Sequence, residues 1–171
     1  MAPVLVWAEG LEPEGVQAVD RRAIVPTPCL ALWTAPPGPL ELAGLLQRAQ
    51  PQRVHLFTLD PGLDEPSPFL RRLAGLVRYA LAHYDGRIDD EQLERMAALL
   101  AQRVATVRWG LRWLAAHGRL SLAEVADGWQ VGPGTGATDA PMAQEAGEHL
   151  RQLLRETAAY RAYARRADPH A

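Results

Sequence analysis

Between Pro68 and His117 the apolar residues fall into three successive stripes at helical spacing, which restricts the middle of the chain to helices packed side by side. The first stripe is Phe69, Leu70, Leu73, Leu76, Val77 and Leu81, with Arg71, Arg72 and Arg78 largely off it and Tyr84-Asp85-Gly86 closing the helix. Asp89 is a natural N-cap for the second helix, with Gln92 three residues on as in a capping box, and Leu93, Met96 and Leu100 supply its buried side. After the turn Ala101-Gln102-Arg103, a third helix is expected over 104–117, with Val104, Val107, Leu111 and Leu114 inward and Gly118 as terminator.

The segments Arg119–Glu124 and Trp129–Val131, joined through Ala126-Asp127-Gly128, carry the turn chemistry of a hairpin. Three helices and then a hairpin is the order of a winged helix, expected here over 66–132. Upstream, residues 4–8, 29–33 and 53–58 are short apolar runs bounded by Gly, Pro and charge, as buried strands are. Residues 39–49 between the last two place Leu42, Leu45, Leu46 and Ala49 at helical spacing. Strand, helix and strand within so short a span make a βαβ unit with parallel pairing and a right-handed crossover.

The expectation is therefore an α/β (α+β) chain: a small βαβ layer over 1–65, a winged-helix domain over 66–132, and a linker with a C-terminal helix over 133–171. A layer of about 60 residues is marginal alone, so it should pack on the helices downstream of it. The last helix should dock through Met142, Ala146, Leu150, Leu153, Leu154, Thr157 and Tyr160.

All 18 basic residues are Arg. Without Lys there is no Walker A motif, no kinase-type ATP lysine and no Schiff-base nucleophile. Charge is uneven: 4 Arg against 8 acids over 1–65, 9 against 5 over 66–119, and 5 against 7 over 120–171. The middle of the chain is thus its basic part. Cys29 is alone, which rules out an intramolecular disulfide and a CxxC zinc pair. No stretch approaches the roughly 18 apolar residues of a membrane helix, and the amino terminus has no basic region before its short apolar run. A soluble, cytoplasmic protein with no membrane partner is the expectation.

On the third helix Arg108 and Arg112 lie one turn apart, opposite the apolar stripe, on what would be the recognition surface of a winged helix. Either Arg103 before the helix and Arg119 after it extend this into a short basic track suited to phosphates, or the four simply solvate an exposed face. Few base-reading side chains accompany them, so sequence-specific recognition is not expected. Trp109 and Trp113 either stack single-stranded bases or pack into the core against the first helix or the α/β layer.

Other candidates have plain structural readings. Gly132–Gly136 precedes a helix like a phosphate loop but lacks the G-x-G-x-x-G order, and a linker with a Thr138 or Asp139 cap explains it. Asp60, Asp64 and Glu65 follow the third strand where α/β layers place ligands, yet a solvated boundary loop accounts for them equally. His55, His83, His117, His149 and His170 have no metal-ligand spacing, and no G-x-S-x-G elbow is present.

The runs Ala31–Pro39, Arg53–Phe57, Phe69–Leu81, Ala101–Leu114 and Leu153–Tyr163 together resemble the carboxyl-terminal region of bacterial RecJ-type single-strand-DNA-specific exonucleases. In that family, amino-terminal DHH and DHHA1 domains hold divalent Mn or Mg that activates water for attack on phosphate. No Asp-His-His occurs in this sequence. The resemblance therefore implies a non-catalytic accessory module of a DNA repair and recombination nuclease, with no catalytic residue, metal or cofactor of its own. Its expected partners are single-stranded DNA, bound weakly, and the nuclease's catalytic domains or a repair protein such as a helicase or single-strand-binding protein. The alternative is a free-standing winged-helix transcription regulator.

Overall fold

A computed structural model describes residues 3–166; His170 and the two chain ends lie outside the described residues. The chain is mixed α/β. Strands β1 (Leu5–Trp7), β2 (Cys29–Thr34) and β3 (Arg53–Leu59) form a parallel sheet in the order β1-β2-β3. Helix α1 (Pro39–Ala49) is the β2–β3 crossover and starts with Pro at its first turn, where the missing N–H costs nothing. It lies on the side of the sheet that carries Trp7, Leu30 and Leu32, and closes a small core there with Leu45 and Ala49. The β1–β2 connection holds no helix; Val19 instead bridges to Trp7, with Ala8 N donating to Val19 O at 3.0 Å and Val19 N to Val6 O at 2.8 Å.

The expected helices follow as α2 (Pro66–His83), α3 (Asp90–Leu99) and α4 (Val104–Ala116), and the hairpin as β5 (Leu120–Val125) and β6 (Gly128–Pro133). Asp89 caps α3 through its side chain, which accepts from Gln92 N at 2.9 Å. Helices α2 and α4 cross at Gly110, where a Cβ would lie 2.6 Å from Leu73 Cδ2 and 2.8 Å from Phe69 Cε1. The absent side chain lets the helices close over one core of Phe69, Leu73, Met96, Leu111, Leu150 and Leu154. Truncating such a fully buried Leu to Ala costs about 2–5 kcal/mol.

One element was not expected. Strand β4 (Arg87–Ile88) pairs antiparallel with β6, so the second sheet runs β4-β6-β5. The pairing depends on Gly86, which holds φ 73° and sits so close to Val131 O that a Cβ would be 2.0 Å from it. Helix α5 (Ala140–Arg166) packs along α4 through Ala146, Leu150, Leu154 and Thr157, as its periodicity indicates. Met142, in the first turn of α5, stays exposed, and the stripe ends in a buried Arg161 rather than at Tyr160. None of the described helices is long and apolar enough to cross a membrane.

Candidate interaction surface

Helix α4 turns Val107, Leu111 and Leu114 into the core, which leaves Ala105 and Arg108 exposed on the opposite side and Arg112 half-buried one turn on. The four arginines singled out by the sequence do not form a uniform basic track. Arg103, at the N-cap of α4, turns toward α5 and donates from Nη2 to Leu153 O at 2.8 Å and to Glu156 Oε2 at 3.0 Å. That hydrogen bond holds the Glu156 carboxyl below its ordinary value. Arg103 is therefore a fastener for α5.

Arg108 remains on the outer face, where its Nη2 lies 3.2 Å from Asp90 Oδ1 at the first turn of α3. The Arg112 guanidinium sits 4.8 Å from the centre of the Trp109 ring and 5.7 Å from that of Trp129, with Glu124 Oε1 of the hairpin 3.9 Å from Nη2. Arg119 is exposed at the start of the hairpin, and among the described residues its side chain has no ion-pair partner. Acids from α3 and the hairpin thus partly neutralise the track, a pairing across elements that spacing along one helix could not reveal.

The two tryptophans of α4 are half-buried, and α5 covers them in place of the first helix or the α/β layer. Trp109 stacks on His149 with ring centres 4.1 Å apart and planes 10° apart, and Nδ1–H of His149 donates to Glu145 O. Trp113 stacks on His117 at 3.8 Å. One face of each ring is thus occupied by an imidazole, and Arg112 lies over the Trp109 ring as well, which narrows the room for stacked bases.

A second polar cluster lies between the α/β layer and the helices. Glu9 is buried and accepts the guanidinium fork of Arg21, whose Nη2 also donates to Gln102 O at 2.9 Å. Burial pushes the Glu9 carboxyl above its ordinary value, against the opposing pull of Arg21. Gln102 Nε2 donates to Asp64 Oδ1 at 2.8 Å and to Leu63 O at 3.1 Å. Arg161 reaches the same Asp64 oxygen through Nη1, Ala35 O through Nε at 3.0 Å, and Ala101 O through Nη2. Burial raises the Asp64 carboxyl and lowers the Arg161 guanidinium, so desolvation weakens the charged form of both partners.

This cluster accounts for the acidic loop after β3. Asp64 is bonded to Arg161 and Gln102, Asp60 lies 3.4 Å from Arg165 Nη1, and Glu65 is the exposed N-cap position of α2. Asp60 and Asp64 face guanidinium groups, and among the described residues no group of three or more His, Cys, Asp and Glu side chains is placed to hold a metal ion. The Gly132–Gly136 stretch ends β6 and leads into α5, where Asp139 Oδ1 accepts from Met142 N at 3.2 Å, the cap expected of a linker.

Comparison of the chain with known protein families, with curated proteins and with solved structures finds no match.

Proposed function

We propose that this chain is a non-catalytic accessory module of a RecJ-like single-strand-DNA exonuclease working in DNA repair and recombination. It engages the nuclease's catalytic domains or a repair protein, and single-stranded DNA only weakly. The resemblance of the sequence supplies the family, and the order α2, α3, α4, β5, β6 supports a winged-helix reading of the middle of the chain. The observation that carries the preference for a protein partner is the position of Arg112 between Trp109 and Trp129, flanked by the ion pairs of Arg108 with Asp90 and Arg112 with Glu124. Half-buried Arg112 and Trp109 lie side by side over buried Trp129, and Arg and Trp are the side chains over-represented among protein-binding hot spots. A surface built to grip phosphates would leave its cations free of carboxylates.

The test is titration of the purified chain with a DHH/DHHA1 catalytic fragment and, separately, with a labelled single-stranded oligonucleotide at low salt. Binding to the fragment that is lost in Arg112→Glu supports the proposal. Absence of binding to both overturns it. The second reading, a free-standing winged-helix regulator, draws on the open outer side of α4 at Ala105 and Arg108 and requires preference for a particular duplex.

A further inference from the structure

A parallel sheet normally has both faces covered, yet here α1 covers one face, while on the other the β1–β2 connection borders an open groove through Pro13, Glu14 and Val16. The other face presents Val6, Ala31, Trp33, His55 and Phe57 around an open groove of about 380 Å³, with the Trp33 and Phe57 ring centres 5.3 Å apart. Edge strand β3 is more unusual. Its pairing with β2 places Val54 opposite Leu30 and Leu56 opposite Leu32, on the α1 side, and His55 opposite Ala31 on the groove side. Apolar side chains therefore project from both faces of a strand that pairs on one side alone, with Leu56 50% exposed and Phe57 54%. That is the pattern of an interior strand.

Natural edges are blunted by charge, proline or bulges. In β3 the only formal charge is Arg53 at its start, and an irregularity comes only at its end, where Thr58 holds φ 51° and the pairing with β2 shifts. Helix α5 approaches that end through Arg165 and Asp60 but leaves Val54, Leu56 and Phe57 exposed. Nine of the thirteen large apolar residues exposed among those described lie in the N-terminal layer.

We infer that β3 pairs antiparallel with β3 of a second copy of this chain, joining the two layers into one six-stranded sheet. The occupant must supply apolar side chains on both faces, and its charges must complement an edge that runs from Arg53 to Asp60. β3 itself meets both demands: a two-fold axis normal to the sheet reverses the second strand and brings Arg53 of each copy toward Asp60 of the other, whose half-exposed carboxylate it would share with Arg165. The same axis keeps both α1 helices on one side, sets the Val54 and Leu56 side chains of the two copies beside one another on that side, and brings the two grooves together on the other. This surface is separate from the outer side of α4, so the inference stands apart from the proposed function.

The experiment is sedimentation equilibrium of the full chain and of two variants. The wild type should be dimeric at up to about 100 μM, where a micromolar dimer is almost fully formed. Leu56→Lys should weaken the dimer at least about ten-fold while far-UV circular dichroism stays unchanged, since Leu56 already faces solvent in one copy. Val125→Lys, on an exposed position of β5, should dimerise as the wild type does. A monomeric wild type overturns the inference and leaves the edge to a strand of another protein. Dimerisation unchanged by Leu56→Lys, or abolished by Val125→Lys, overturns it as well.

Discussion

Arg161, wholly buried near the end of α5, donates to Asp64 Oδ1, the oxygen that also accepts from Gln102 Nε2. The remaining nitrogens of the guanidinium meet Ala35 O beside β2 and Ala101 O between α3 and α4, so one side chain is bonded to the sheet layer, the following loop and the helical turn. Removing one member of a buried pair strands the other charge, at a cost of about 3–5 kcal/mol.

Arg161→Met should therefore destabilise the chain by about 3–5 kcal/mol in urea unfolding. The double change with Asp64→Asn should cost less than the sum of the singles, because neither charge is then left alone. Strict additivity would mean that the two residues do not act as a unit.

Glu9→Gln tests the other buried carboxylate through pH. Because burial raises the folded value of Glu9, the folded chain holds this proton to a higher pH than the unfolded chain does. Its contribution is then fullest below about pH 4, the unfolded value, and fades as pH rises through the folded one. The stability of the wild type relative to Glu9→Gln should grow as pH falls from about 7 toward 4 in parallel denaturation series. A difference that shrinks over that range would show that the Arg21 fork outweighs burial.

The two ends of the arginine track should behave differently. Arg119→Ala should lower any low-salt affinity for single-stranded oligonucleotide and reduce the salt slope by about 1, since among the described residues this cation has no ion-pair partner. Arg103→Ala should act on folding instead, lowering the unfolding midpoint through loss of the bonds to Leu153 and Glu156. Anisotropy titrations at several salt concentrations, set beside thermal melts, separate the two effects.

Gly110→Ala should destabilise by about 1–3 kcal/mol, because its methyl group would meet Leu73 and Phe69 at the closest approach of α2 and α4. An Ala that leaves the melting temperature unchanged would mean that the helices can separate freely. Asp89→Ala removes the cap of α3 and should cost about 1 kcal/mol by the same measurement.

What the sequence makes legible is local. The cap at Asp89, the stripe of α4 and the Pro39 start of α1 depend on neighbours within a turn, and each element forms where its pattern places it. Strand β4 is invisible in the sequence because two residues carry no periodicity, and its strand character comes from Gln130 and Trp129 across the sheet. The burial of Arg161 is readable in principle: Ala146, Leu150, Leu154 and Thr157 point along one stripe whose next position is 161, though an Arg there looks like the end of the stripe. The pairing of Arg108 with Asp90 and of Arg112 with Glu124 joins α4 to other elements, and only the fold brings them together. The two-sided apolar pattern of β3 suggests an interior strand, since strand order is not written along the chain.

The position of Arg161 also sets an order of events during synthesis. Residues of the α/β layer emerge from the ribosome long before the last turns of α5, and the group that ties Ala35 and Asp64 to the helices follows them by 126 and 97 residues. Until α5 has been made, the nascent layer stays unlatched from the helices that Arg161 will join to it.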